Sequence, residues 1–517
     1  MNAANFLIIP ATILPDQEII VCGETRLTYA ACLDRVRRLA GALQRLGVGR
    51  GDRVAVLHTN CHRYVECFYA TATVGGVFVP LNYRAKLPEL EHMLTAAGVT
   101  VLFAGRRYAD AVMQLRERLR SVRHYVCFEG PDGVFGGYED MLRHATPCDA
   151  EAAVEEEDTA ILMYTSGTTA LPKGVLLTHN DFTAYVCGSV ELADGTPRGT
   201  ALLSAPLYHI AAAANIMTTL FAGRRLVILP QFDPHAWVES VERERVTHAF
   251  VVPTMMKQLL DLPDLGTHDL GSLEVLAYGG AAMPLAVIRR AIETLPRTVG
   301  FVNAFGQTET TSTLTVLGPE DHRLDGTPEE VQRTLRRLQS IGRPLPDVEL
   351  GVFDDEGRPL PPGEIGEIAV RTPRLMKGYA EGAGATLPVR DGWLRTRDMG
   401  WTDEDGYVFL AGRRDDMIIR GGENIAPAEV EAVLQSHPAV DEAAVVGLPD
   451  VEWGQRVAAV VVRRRDCSVD AAELIDFCRT RLASFKKPET VHFVESLPRN
   501  HLGKVLRREL RAEFAAD

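Results

Sequence analysis

Short apolar runs alternate with amphipathic helical stretches from the N-terminus to about Tyr278, and this rhythm constrains the fold more than any other feature. Cys32, Val36, Leu39, Leu43 and Leu46 step by four and three, which puts them on one face of a helix starting near Thr28. Gly47 ends that pattern, and Arg53–His58 then reads as a strand. Further strands read at Val77–Pro80, Ala201–Pro206, Arg225–Leu229, Ala249–Pro253 and Val275–Tyr278. Alternation of this kind builds a largely parallel sheet with helices on its faces, so the expected class is α/β.

Near residue 341 the texture changes. Short β patterns at Val348–Phe353, Glu367–Arg371, Trp393–Arg395 and Tyr407–Ala411 are separated by turn sequences such as Asp-Asp-Glu-Gly. After Gly412 the chain restarts, with a helix at Ala426–Ser436, strands at Val440–Gly447 and Val457–Arg463, and a helix at Ala471–Leu482. The expected organisation is a large N-terminal domain, residues 1–411, of layered α/β subdomains, with a β-rich subdomain at about 341–411. A small mobile C-terminal α+β domain, 412–517, follows a hinge at 412–415.

Composition narrows the function classes. With 517 residues the chain exceeds the ~250–300 at which single cores stop growing. A net charge of −14 lacks the basic footprint of a nucleic-acid binder. The first residues carry no basic n-region of a secretory signal. The most apolar stretch, Leu207–Gly223, contains His209 and Asn215 and reads as a buried helix instead of a membrane span. Nine scattered cysteines, with Cys61, His62 and Cys67 as the only close group, form no zinc pattern and suit a reducing, cytoplasmic compartment. Gly47–Asp52 lacks the last glycine of a dinucleotide fingerprint and follows a helix, so it reads as a helix stop.

The clearest chemical signal follows the strand Thr159–Tyr164. Thr165-Ser166-Gly167-Thr168-Thr169 supplies hydroxyl and backbone donors with almost no bulk, and Lys173 adds a positive charge. A polyphosphate needs such a donor-rich, closely approachable loop. It is not a Walker A loop, because Pro172 precedes the lysine and a strand, Val175–Thr178, follows.

Tyr164–Val175 resembles the signature loop of the AMP-forming acyl/aryl-CoA synthetases, with Ala170 where glycine is usual. Other segments are similar to the family's motifs in the family's order: Pro206-Leu207-Tyr208-His209, Gly279-Gly280-Ala281, Asn303–Glu309, Gly392–Asp398, Gly412–Ile418, Gly421–Asn424 and Leu497–Lys504. Phe305 replaces the usual Tyr, and Arg397 stands where Gly is commoner.

The resemblance implies ATP, Mg²⁺ and coenzyme A as cofactors and a small-molecule carboxylic acid as partner. It implies that Thr165, Ser166, Gly167, Thr168, Thr169 and Lys173 grip the β- and γ-phosphates, and that Glu309 with Thr165 holds the metal. Gly279, Gly280 and Ala281 would line the adenine and acyl pocket, within the same site as Asn303, Gly306 and Gln307, and Phe305 would stack on adenine. Thr308 would bond the α-phosphate, and Asp398 and Arg413 the ribose. Lys504 would reach between carboxylate and α-phosphate, His209 would gate the acyl site, Asp415 would be the hinge, and Gly421 and Gly422 would line the pantetheine channel.

The gate segment Leu203–Met217 carries no acidic residue, which disfavours an amino-acid substrate. A medium- or long-chain fatty acid is the first expectation and an aromatic or cyclic carboxylate the second. A stand-alone adenylating enzyme that loads a carrier protein, a luciferase-like oxygenase and a non-catalytic nucleotide binder are the rivals. The motifs leave a monomer and a homodimer both open.

Overall fold

The computed structural model describes residues 1–165, 171–380, 389–465, 467–499 and 505–515, whose strands form five sheets. The helix expected near Thr28 spans Tyr29–Arg45, and Thr28 caps it by accepting the Ala31 N–H. Cys32, Val36, Leu39 and Leu43 are buried on its inner face, each large aliphatic side chain contributing about 1.5–3 kcal/mol. Gly47, at φ +81°, turns the chain out of the helix toward the strand Arg53–Leu57.

Two large sheets carry most of the chain. The first runs, edge to edge, through Gly378–Tyr379, Lys173–Thr178, Thr159–Thr165, Val77–Pro80, Arg53–Leu57, Val101–Ala104, His124–Cys127 and Gly136–Gly137. It is parallel except at Lys173–Thr178 and Gly378–Tyr379, which pair antiparallel. The second runs through Arg343–Pro344, Ser312–Leu317, Gly300–Gln307, Val275–Gly279, His248–Val251, Thr200–Leu203, Arg225–Ile228, Glu18–Cys22 and Thr25–Thr28. Its central strands are parallel and read as nearly unbroken apolar runs because helices cover both faces. The apolar stretch after His209 is the helix Ile210–Phe221, with Ala212, Ala214, Ile216, Met217 and Leu220 buried. No helix among the described residues is long and apolar enough to cross a membrane.

A five-stranded antiparallel sheet, Glu349–Phe353, Gly366–Arg371, Trp393–Thr402, Val389–Arg390 and Val408–Arg413, follows. Two of its strands are longer than the local β pattern suggests. Trp393–Thr402 has ten residues, and Val408–Arg413 continues through Gly412 and Arg413 because Arg413 pairs in register with Asp398. Irregular backbone therefore begins at Arg414. Beyond it lie the hairpin Ile418–Arg420/Glu423–Ile425 and a three-stranded sheet, Val440–Asp450, Gly454–Arg463 and Thr490–Phe493. The helices Pro427–Gln435 and Ala471–Arg479 accompany these strands, and the unit has its own core around Val430, Leu434, Val445, Val457, Val461 and Leu474.

Candidate active site

The C-terminal end of the strand Thr159–Thr165 and the start of Lys173–Thr178 lie side by side, with Thr165 opposite Lys173. Ser166, Gly167, Thr168 and Thr169 lie outside the described residues, as does Lys504. On the other edge of Lys173–Thr178, Tyr379 pairs with Val175. Lys173 Nζ lies 5.6 Å from the centroid of the Tyr379 ring, a cation–π distance. The Tyr379 hydroxyl donates to Glu309 Oε1 at 3.1 Å. Burial and the Glu309 charge push the Tyr379 phenol above its ordinary pKa, so it stays a donor at neutral pH. One aromatic residue thus joins the phosphate loop's lysine to the carboxylate expected to hold the metal.

Glu309 belongs to a short 3₁₀ turn, Thr308–Thr310, at the end of the strand Gly300–Gln307. That strand doubles back into Ser312–Leu317 through Thr311 and Ser312, at φ +49° and +81°. The tightness of this corner explains Gly306: a Cβ there would stand 1.7 Å from the Ser312 carbonyl oxygen. Gly306→Ala is therefore expected to destabilise the protein by about 2–4 kcal/mol and to lower activity with it, read as a drop in Tm. An unchanged Tm would show that the corner relaxes freely.

Gln307 Nε2 reaches across to Asp398 Oδ2 at 2.6 Å and to the Thr396 carbonyl at 3.2 Å. Asp398 Oδ1 faces Arg413 Nε at 2.8 Å, and its side chain is only 7% exposed. Arg413 also donates to the Thr396 carbonyl at 3.1 Å. Both carboxylate oxygens are thus aimed by fixed donors, and a carboxylate has roughly four acceptor sites, so capacity remains for a diol. Asn303 is tied to the Ser340 carbonyl at 3.3 Å. Phe305 is half-buried, packed against the core of the five-stranded sheet.

On the acyl side, His209 begins the helix Ile210–Phe221, and its ring lies 4.3 Å from that of Tyr208. Tyr208 in turn meets Tyr83 edge to face at 5.4 Å. Gly279 pairs with Ala304, and a Cβ at Gly279 would stand 2.2 Å from the Ala304 carbonyl oxygen and 3.6 Å from the Phe250 ring. Gly280 follows at φ +78°, next to half-buried Ala281. Gly421 and Gly422 form the turn of the hairpin Ile418–Arg420/Glu423–Ile425, at φ +58° and +89°. Gly421 donates its N–H to the Trp453 carbonyl at 2.8 Å, and a Cβ there would press on the indole at 2.8 Å. This turn is thus held from within the C-terminal unit, apart from the network around Glu309 and Asp398.

A model of the AMP-binding enzyme family matches residues 11–380, and one of the AMP-binding enzyme C-terminal domain matches residues 429–504. The chain belongs to the AMP-binding enzyme family. This AMP-binding enzyme is 38% identical over 507 residues to a feruloyl-CoA synthase of Amycolatopsis sp, covering 98% of this chain and 97% of the relative. It is 33% identical over 509 residues to the long-chain-fatty-acid–CoA ligase FadD13 of Mycobacterium tuberculosis, covering 98% and 97%. Among solved structures, that of the anthranilate CoA ligase AuaEII in complex with anthranoyl-AMP superposes with a TM-score of 0.88 at 27% identity, covering 99% of this chain and 97% of that one. The chain is thus an enzyme of the AMP-forming, adenylate-forming superfamily, in the family of acyl- and aryl-CoA ligases, with the mixed α/β fold that goes with it.

One residue of the AMP-binding enzyme's candidate site escapes sequence reasoning, and a second, Thr396, is read only as part of the motif Gly392–Asp398. Tyr379 sits in a strand of two residues, too short to show any period. Thr396 contributes mainly its carbonyl, which no side-chain pattern reports. The spacing Gly378-Tyr379, an aromatic beside a glycine after the apolar Leu375-Met376, is the one signal available for Tyr379.

Proposed function

We propose that this chain is an ATP-dependent ligase that joins an aromatic carboxylic acid bearing a ring hydroxyl or similar donor to coenzyme A. The carboxylate and ATP give acyl-AMP and pyrophosphate, and CoA then gives acyl-CoA and AMP. The nucleotide would run from Lys173 and the loop before it, past Glu309, to Asp398 and Arg413. Thr308 would bond the α-phosphate, Phe305 would stack on adenine, and Gly279, Gly280, Ala281 and Asn303 would lie beside it. Catalysis on this plan is positioning and charge stabilisation.

The donor set suits Mg²⁺. One carboxylate, Glu309, oriented by the Tyr379 hydroxyl, and the Thr165 hydroxyl are hard oxygen ligands, and Mg²⁺ takes its remaining ligands from phosphate and water. Bound there, it would supply charge neutralisation to the phosphates. Among the described residues no cluster of three or more His, Cys, Asp or Glu offers a second metal site.

The likeness to a feruloyl-CoA synthase carries the substrate class, and the gate helix offers a polar group that would suit it. Asn215 Oδ1 is buried without a hydrogen-bond partner among the described residues. Asn215 stands one turn beyond Ala211, both half-buried, on the helix that starts at His209. Asn215 Oδ1 is shielded in this structure, so a substrate hydroxyl would reach it only after a local side-chain adjustment; it would then recover about 1–3 kcal/mol that an alkyl tail would not. The feruloyl and anthranilate specificities of the relatives support the same order, which reverses the expectation drawn from the sequence. A fatty acid is the second reading, favoured by the small residues Ala211–Ala214 and by the likeness to FadD13.

The test is a panel of acids with ATP, Mg²⁺ and CoA, following AMP and pyrophosphate together. Hydroxy-aryl acids should exceed decanoate in kcat/KM by about tenfold or more, and Asn215→Leu should remove about 5–100-fold of that preference. Decanoate as the best substrate of the wild type would transfer the assignment to the fatty-acid reading. ADP in place of AMP would overturn the reaction itself.

A further inference from the structure

Arg413, Arg414, Asp415 and Asp416 follow one another where the chain leaves the five-stranded sheet, and each charge faces a different partner. Arg413 meets Asp398. Arg414 spans Glu367 Oε2 at 3.0 Å and Asp355 Oδ1 at 2.7 Å. Asp415 takes Arg397 Nη2 on both its oxygens, at 2.7 Å each. Asp416 turns the other way, to Arg511 Nη2 at 2.7 Å and Arg507 Nη1 at 3.8 Å on the C-terminal helix Arg507–Phe514. The changeover from partners in the five-stranded sheet to partners in the C-terminal helix therefore falls at Asp415, whose carboxylate holds Arg397 while its carbonyl accepts from Arg511 Nη2 at 3.4 Å.

Arg397 is unusual in its own right. Its φ is +63°, a conformation that favours glycine and costs a side-chain-bearing residue. Such strain persists where the surroundings fix it, and here they do. The Arg397 N–H donates to Glu367 Oε1 at 3.1 Å, while the other oxygen of Glu367 holds Arg414. Arg397 also neighbours Asp398 in sequence, at the point where the strand Trp393–Thr402 pairs with Val408–Arg413. The pair with Asp415 is exposed, 51% and 36% for the two side chains. Exposed pairs are weak and screened by salt, which suits a contact that has to open on every turnover.

We propose that Arg397 is a positioning residue: its ion pair with Asp415 holds the C-terminal unit in the orientation seen here, and release of that pair is a step in the passage from acid activation to thiol transfer. This rests on the ligase assignment above. It adds that the residue standing where glycine is commoner is retained for its charge and not for its backbone.

The experiment compares wild type with Arg397→Gly, Arg397→Lys and Asp415→Asn. Acid-dependent ATP–pyrophosphate exchange reads the first half-reaction, and CoA-dependent consumption of supplied acyl-AMP reads the second, each at low and high salt. In Arg397→Gly and Asp415→Asn the two rates should move in opposite directions, changing their ratio by about two- to fivefold, and the ratio should lose its salt dependence. Arg397→Lys should keep the salt dependence. Glycine fits the φ without strain, so Tm should not fall in Arg397→Gly. A second readout needs no turnover: the distance distribution between labels on the exposed Cys187 and Cys467, one on each side of the hinge, should broaden in Arg397→Gly. An unchanged distribution with an unchanged ratio overturns the proposal, as does a parallel loss of both half-reactions. Absence of acid-dependent exchange in the wild type would strike the ligase assignment, and the label distances would still decide for or against the clasp.

Discussion

Asp398→Ala lowers kcat/KM for ATP by about 10²–10³-fold in acid-dependent pyrophosphate exchange. The loss has two sources. On the proposed nucleotide placement the ribose hydroxyls would lose a charged acceptor, and hydrogen bonds to charged groups are worth about 1.5–3 kcal/mol. The substitution also frees the groups that aim the acceptor. Arg413 Nε at 2.8 Å and Gln307 Nε2 at 2.6 Å lose the nearly buried carboxylate and keep only their bonds to the Thr396 carbonyl. Gln307 lies two residues from Glu309, so its release should loosen the corner that presents the carboxylate proposed to hold the metal. Stability should fall by about 1–3 kcal/mol, read as Tm. Asp398→Asn keeps the shape and one acceptor and should recover part of the rate. Exchange by Asp398→Ala within threefold of wild type would remove Asp398 from the nucleotide site.

Lys504→Ala is expected to abolish acid activation, by about 10³-fold or more, while leaving CoA attack on supplied acyl-AMP largely intact. Lys504 lies outside the described residues, and its role rests on the resemblance of the segment Leu497–Lys504 to a motif of the family. The physical case is charge. A carboxylate must approach an α-phosphate, two anions that repel, and a flexible ammonium can serve both. Removing a single well-placed donor from developing negative charge typically costs about 10²–10³-fold. Once acyl-AMP exists that repulsion is gone, so the second half-reaction should not feel the loss. Adenylation within tenfold of wild type, or an equal loss in both half-reactions, would give the lysine another role.

These outcomes also mark which parts of the site could be read from residues alone. The helix after Thr28 was legible because cap, period and stop agree locally. The donor-rich run Thr165–Lys173 stands out in the sequence because its chemistry is contiguous, but Ser166–Thr169 lie outside the described residues. Gly279 and Gly306 were legible as motif positions, yet the reason for both is a neighbouring strand's carbonyl, which sequence does not display. The link from Gln307 to Asp398 spans 91 residues and joins two sheets, so no local pattern encodes it. Tyr379 was hidden by the shortness of its strand. Arg397 appeared as a departure from a motif, and only its φ and its contact with Asp415 give that departure a meaning. The acyl group was hidden for another reason: the gate segment shows no acidic residue, and the state of a buried group such as Asn215 Oδ1 is a matter of packing that sequence does not display.

Lys173, Glu309 and Asp398 belong to the first large sheet, the end of a strand of the second, and the antiparallel sheet. A nucleotide that touches all three serves as a keystone. Each sheet has its own packing, so each can tolerate internal repacking alone, but a tilt of one against another is felt along the whole length of the ligand. Substitutions inside one sheet would then be felt locally, and those at the seams, where Tyr379 meets Glu309 and Gln307 meets Asp398, would be felt by all three sheets.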